Sequence, residues 1–161
     1  MVAEPSFDPE AILRALNRHA VGYIVVGGFA VAAHGVVRAT ADLDLVVERT
    51  WENAERLARA LVEVEATDAT GAGTPVTREV LVRRADRRFQ TAFGEVHLLH
   101  AVADVPDYRA LLPPTTILLS GESIPVASLE QLRAMKRSAG RFKDRADLAE
   151  LDHLDDAELG P

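Results

Sequence analysis

The amino-acid sequence predicts an α+β fold in which helices pack on a sheet, and three observations carry that expectation. Strand and helix signals alternate as far as residue 64, several β-like runs follow, and two helical segments close the chain. Hydrophobic residues make up 48% of the sequence but aromatics only 5%, so the core draws on Ala, Val and Leu, a supply suited to helices lying close on strands. At 161 residues the chain falls within the size of one domain, enough to bury roughly two thirds of its unfolded surface. The expected organisation is a single domain over 1–161, with a sheet-centred core over 1–105 and a hairpin with closing helices over 106–161.

Asp8, Pro9 and Glu10 supply an N-cap, a first-turn proline and a first-turn acid, which predicts a helix from about Pro9 to His19. Tyr23 to Val26 is a short apolar strand, interrupted by Gly27-Gly28. The run FAVAAH fits a two-turn helix ending at Gly35. Asp42 to Glu48 alternates and then becomes continuously apolar, as a strand buried over most of its length does. Thr50 caps a helix over WENAERLARALVEV, whose apolar residues recur at helical spacing.

Ala66 to Pro75 is small, polar and glycine-rich, a loop. Three β-like runs follow, VTREVLVRR (76–84), RFQTAF (88–93) and EVHLLH (95–100), separated by Asp86 and Gly94, and predict an antiparallel continuation of the sheet. Tyr108 to Leu112 reads as a helical turn, and TTILLSGESIPVA as a hairpin about Ser120-Gly121. Helices are predicted over Ser128–Ser138, where Ser128 and Gln131 have capping-box spacing, and over Phe142–Leu154, with 155–161 as a fraying tail.

Acids outnumber bases 25 to 18, a formal net charge of −7, which argues against a surface tuned as a whole to polyanions. The absence of cysteine excludes disulfides, thiolate metal sites and thiol nucleophiles. No run approaches the ~18 apolar residues of a membrane span, and MVAEPSFDPE lacks the basic start and apolar core of a signal peptide, so a cytoplasmic location without membrane contact is expected.

Asp42 and Asp44 share one face of their strand while Leu43 and Leu45 share the other. Two carboxylates that close repel unless a cation sits between them, which makes a divalent ion such as Mg²⁺ the natural complement. Gly27-Gly28, at a strand-to-helix turn, leaves backbone N–H groups open to a phosphate. Each half alone has a plain alternative, a solvated strand end or a simple turn; together they suit in-line attack on a phosphoryl group.

The order and spacing of these elements, V26-G27-G28-F29-A30-V31 through H34-G35, R38, T40 and D42-L43-D44-L45, resemble the nucleotidyltransferase superfamily, most of all small bacterial members related to abortive-infection and toxin–antitoxin nucleotidyltransferases. The run SLEQLRAMKRSAGRFKDRADLAEL is similar to the closing helices of those proteins. The resemblance implies a nucleotidyltransferase-like fold, a short mixed sheet backed by helices. An NTP, ATP among the candidates, would bind between Gly27-Gly28 and a Mg²⁺ (or Mn²⁺) ion on Asp42 and Asp44. A nucleotidyl group would pass to an acceptor, an RNA end, a protein or a small molecule. A cognate toxin or antitoxin partner, or a second copy of the chain, is a further implied partner. The family adds a third carboxylate from a later strand, and the position that matches it here is His97, with Glu95 beside it on the same face. Three roles stay open for His97: general base, ligand to a softer metal than Mg²⁺, or mark of lost activity in a fold kept for binding nucleotide or a partner.

Arg38 and Thr40 lie in the loop that delivers the acids and are candidates for triphosphate contact, against the alternative of a solvent-facing loop. Lys136, Arg137, Arg141, Lys143 and Arg145 gather near the C-terminal end, with Lys143, in the family-like KDRADL run, the favoured nucleotide contact; Asp144 and Asp147 suit ion pairs equally well. His34 suits a helix terminus, His97 and His100 should point to opposite sides of a strand, and Trp51 and Tyr108 suit packing.

Overall fold

The computed structural model describes residues 6–100, 105–140 and 142–158, without the side chains of 142–144 and 155–158. The predicted fraying tail, 155–161, therefore lies outside the described side chains. Helix α1 spans Pro9–Arg18, and Asp8 caps it by accepting from the Ala11 amide at 3.2 Å. Its buried face carries Ile12, Leu13 and Leu16. Strand β1 (Tyr23–Val26) is buried along its whole length and passes without a linker into α2 (Gly27–Ala33). Strand β2 is Asp42–Val47 and α3 is Trp51–Glu63, capped by Thr50. Asn53, buried at the start of α3, bonds both backbone groups of Gly22 and the Glu48 carbonyl, so one side chain ties α3 to the lead-in of β1 and the exit of β2.

Strand β3 has two residues, Thr67–Asp68, in what is otherwise the predicted loop. The next segment departs from the expectation. Residues 76–84 are not a strand; they form the short helix α4 (Arg78–Leu81). The apolar residues of VTREVLVRR alternate only loosely, and long-range contacts decide: Leu81 is buried, and Arg78 lies 5.6 Å over the Trp51 ring and 3.8 Å from Glu55 of α3.

Strands β4 (Arg87–Thr91) and β5 (Gly94–Leu98) form a hairpin, followed by a 3₁₀ turn at Tyr108–Leu111. A second hairpin joins β6 (Thr115–Leu119) to β7 (Glu122–Val126). Its turn, Ser120-Gly121, has φ of 49° and 83°, the double positive-φ geometry that fits right-twisted strands. Helix α5 (Leu129–Ala139) carries the full Ser128–Gln131 capping box, and α6 spans Phe142–Glu158.

The seven strands form one mixed sheet in the order β3-β4-β5-β2-β1-β7-β6. Neighbours β1 and β2 run antiparallel, whereas β2 with β5 and β1 with β7 run parallel. The continuation of the sheet is thus antiparallel within the β4–β5 hairpin but parallel where β5 joins β2. Leu43, Leu45, Val96 and Leu98 are all at most 1% exposed, which locates the core beneath the centre of the sheet. Among the described residues, no helix is long and apolar enough to cross a membrane.

Candidate active site

Strand alternation sends Leu43 and Leu45 into the core and Asp42 and Asp44 to the opposite face. The parallel register pairs Asp42 with Glu95 and Asp44 with His97, so all four polar side chains share that face. Nδ1 of His97 lies 3.2 Å from Oδ1 of Asp44, and its Nε2 lies 2.6 Å from Oε1 of Glu95 and 3.8 Å from Oδ2 of Asp42. Arg88, opposite His97 on β4, reaches Glu95 Oε1 with Nε at 2.8 Å and Nη2 at 2.6 Å.

The hydrogen bond to Asp44 raises the pKa of His97 above its ordinary value; burial opposes this but is outweighed, with Glu95 and the charges of Asp44 and Asp42 adding to the rise. Burial would raise Glu95, yet the bonds from His97 and Arg88 hold it below the usual carboxylate range.

Asp42, Asp44 and His97 each offer one ligand atom, all within 4.8 Å of one another. Such spacing fits a divalent ion, and two carboxylates with one imidazole form a hard set with one nitrogen member. The donors therefore fit the metal that the family resemblance implies.

Gly27 fixes the approach to this group. Its φ is +70°, and a Cβ there would fall within 2.8 Å of Asp44 Cγ and closer still to Oδ2. Only glycine lets the chain leave β1 and start α2 while Asp44 occupies that space. Gly28 is the milder case, without a positive φ: a Cβ would stand 3.2 Å from Arg38 Nε and 3.4 Å from Thr40 Oγ1, and those side-chain ends would have to give slightly.

Arg38 and Thr40, in the loop that delivers the acids, thus lie beside Gly28, and each is already engaged. Thr40 Oγ1 donates to the Asp42 carbonyl at 3.1 Å, and Arg38 Nη1 pairs with Asp147 of α6. Asp147 also accepts Lys136 Nζ at 2.9 Å; with 8% of each exposed, the acid and the lysine form a mostly buried cluster that joins α5, α6 and the loop before β2. The Lys143 side chain lies outside the described residues, as does that of Asp144, and Arg141 lies there entirely; Arg145 is exposed.

His34 caps α2 and bonds the Ala127 carbonyl at 2.8 Å through Nε2. His97 and His100 do not converge: His100 is buried past the far end of β5, where its backbone N–H donates to Asp86. Trp51 is 53% exposed beneath Arg78, not a packing anchor, while Tyr108 does pack against the core.

The residue that sequence reasoning missed is Arg88. Its signal was present, since a hairpin that pairs Thr91 with Gly94 puts position 88 opposite 97 by counting. The pairing of Arg38 with Asp147 had no such signal across 109 residues.

No family model matches the sequence, and neither does any curated protein. Solved structures do resemble it. A candidate nucleotidyltransferase from Thermotoga maritima superposes with a TM-score of 0.59 at 20% identity, over 89% of this chain and 92% of that one. The antibiotic-resistance factor ANT(2″)-Ia gives a TM-score of 0.59 at 14% identity, over 94% of this chain and 82% of its own. At these identities the likeness is one of architecture: the chain is an α+β protein with the nucleotidyltransferase-like fold.

Proposed function

We propose that this protein is a metal-dependent nucleotidyltransferase that moves a nucleoside monophosphate from an NTP to an acceptor hydroxyl and releases pyrophosphate. One observation carries the reading: Asp42, Asp44 and His97 converge within 4.8 Å on the strands next to the side-chain-free Gly27-Gly28 turn. Asp42, Asp44 and His97 would hold the divalent ion, Mg²⁺ or Mn²⁺. When bound, that ion neutralises the charge that develops on the transferred phosphoryl group and fixes its oxygens. Gly27 and Gly28, having no side chains themselves, let Asp44 and Arg38 close on the turn, and Arg38, beside Gly28, is among the described residues the cation nearest to where the triphosphate would sit. Lys143 is a second candidate contact, on the strength of the sequence resemblance.

The acceptor classes are an RNA end, a protein or a small molecule, and a structural neighbour that is an antibiotic-resistance factor supports the last. A role as toxin or regulator in a two-gene system, inside the cell, rests on the sequence resemblance.

A second reading is favoured by His97 itself, which stands where the family has an acid: a binding module that keeps the fold and holds nucleotide or a partner without chemistry.

A thermal-shift panel of ATP, GTP, CTP and UTP with Mg²⁺ or Mn²⁺, with Asp42→Ala/Asp44→Ala as control, tests the proposal. Ligand at ~100 times its dissociation constant adds about 2.7 kcal/mol, a shift of very roughly 5 °C. The expected result is a metal-dependent shift with at least one nucleotide, absent in the control. No shift with any of the four overturns nucleotide binding. Turnover separates enzyme from module: gain of NTP turnover in His97→Asp marks a decayed enzyme, and loss of it marks a working histidine.

A further inference from the structure

We infer that Glu95 is a positioning residue: held by Arg88, it takes the Nε2–H of His97 and so aims Nδ1 of His97 at Asp44, where Nδ1 becomes a nitrogen ligand once an ion is shared with Asp42 and Asp44. The inference deepens the proposed function, on whose metal it rests, and gives His97 the second of its three open roles.

The geometry is built on two strands. Glu95 and His97 are two residues apart on β5 and share a face, and Arg88 is the register partner of His97 on β4. Nε2 of His97 is 2.6 Å from Glu95 Oε1, and Arg88 holds the same oxygen from Nε at 2.8 Å and Nη2 at 2.6 Å. Arg88 Nε also comes within 3.2 Å of His97 Nε2. One ring nitrogen cannot both accept from Arg88 and donate to Glu95, and the shorter, charge-assisted contact with the carboxylate decides for donation.

Without an ion Nδ1 carries the proton that it donates to Asp44; an ion bound there displaces that proton, and the neutral imidazole, its remaining proton on Nε2, then has a bare Nδ1. That atom lies 3.2 Å from Asp44 Oδ1. Ligand atoms on neighbouring vertices of an octahedron with bonds of about 2.1 Å are about 3.0 Å apart, so Nδ1 and Asp44 already stand near the spacing of two such ligands. Ligation through Nε2 would instead break the bond to Glu95. A carboxylate that orients a metal-bound histidine from behind is a general device. Its chemical consequence here is a nitrogen in an otherwise oxygen-rich set, which favours a first-row transition ion over Mg²⁺.

The test uses the metal alone. Mn²⁺ and Mg²⁺ are titrated calorimetrically into wild type, His97→Ala, Glu95→Ala and Glu95→Gln, and pulsed EPR on the Mn²⁺ forms reads imidazole ¹⁴N coupling. The expected result is Mn²⁺ binding at least ~10-fold tighter than Mg²⁺ in wild type, with a nitrogen coupling that His97→Ala abolishes. Glu95→Ala should weaken Mn²⁺ binding ~10- to 100-fold, and Glu95→Gln, whose amide oxygen still accepts from Nε2, should recover most of that loss. Wild-type Mn²⁺ binding without a nitrogen coupling overturns the inference, as does Glu95→Ala binding as tightly as wild type. Failure of wild type to bind Mn²⁺ overturns it together with the metal half of the proposed function. Mn²⁺ results as expected, with no nucleotide binding in the thermal-shift panel, support the inference while the proposed function falls.

Discussion

Two charged clusters lie on either side of the diglycine and are built on opposite principles. Asp42, Asp44 and His97 stand on neighbouring strands in the middle of the sheet, where backbone register alone brings them together. Arg38, Asp147 and Lys136 come from a loop and two helices and meet in ion pairs that no backbone register dictates. The first cluster sets two like-charged acids side by side on a rigid frame, with His97 against both. The second matches opposite charges and helps fasten the C-terminal helices to the loop that leads into β2. The difference separates a group whose acids stand side by side from one whose opposite charges are matched across the fold, and it can be attacked by substitution.

The largest effect is expected from Asp147→Ala, which removes the acid between two cations in a mostly buried setting and should cost about 3 kcal/mol in urea unfolding. Equal stability of variant and wild type would erase the distinction between the clusters. Gly27→Ala comes next: a Cβ at φ +70° pressed against Asp44 should cost about 2 kcal/mol and also weaken Mn²⁺ binding, read by melting with and without metal. Asp44→Ala should leave the metal-free stability within about 1 kcal/mol of wild type, because lost contact with His97 is offset by relief of repulsion from Asp42, while stabilisation by Mn²⁺ disappears. A large loss of metal-free stability would make the acids structural.

The smallest effect concerns His100, at the far end of β5 from the acids. Burial, then the nearby charge of Arg49, holds its pKa below the ordinary value, against the smaller pull of Asp86 and Asp107. A histidine kept neutral in this way contributes no loss above ~6.5, the unfolded value, and lowers stability as pH falls from there towards the folded one. His97 is shifted the other way, so the comparison is between proteins: urea midpoints measured from just above to one unit below ~6.5 should fall more in wild type than in His100→Gln. A parallel course would remove His100 from the account.

Legibility followed the same division. The strands β1 and β2, the caps Asp8, Thr50 and Ser128, and the shared face of Asp42, Asp44, Glu95 and His97 are consequences of local pattern, and the structure has them where the sequence predicted. Helix α4 was misread because a loose alternation at 76–84 outweighed contacts with Trp51 and Glu55 that no local window contains. The sequence placed Arg38 in the loop that delivers the acids; that it lies beside Gly28 and pairs with Asp147, on a distant helix, only the fold determines. The parallel joining of β5 to β2 was equally invisible, since a run of alternating residues does not state its neighbour's direction.

The space between Gly27 and Asp44 has a consequence for how this chain can vary. Every other residue type brings a Cβ or a ring to position 27, so the glycine cannot change while the acid stays. Once the acid is lost, the demand for space at position 27 is lost with it. The two positions, 17 apart in sequence and touching in space, are thus one heritable unit. In any lineage of such chains a side chain at the first should be accompanied, or preceded, by disappearance of the carboxylate at the second. A homologue with alanine at the one and aspartate at the other would have had to rebuild the turn between β1 and α2.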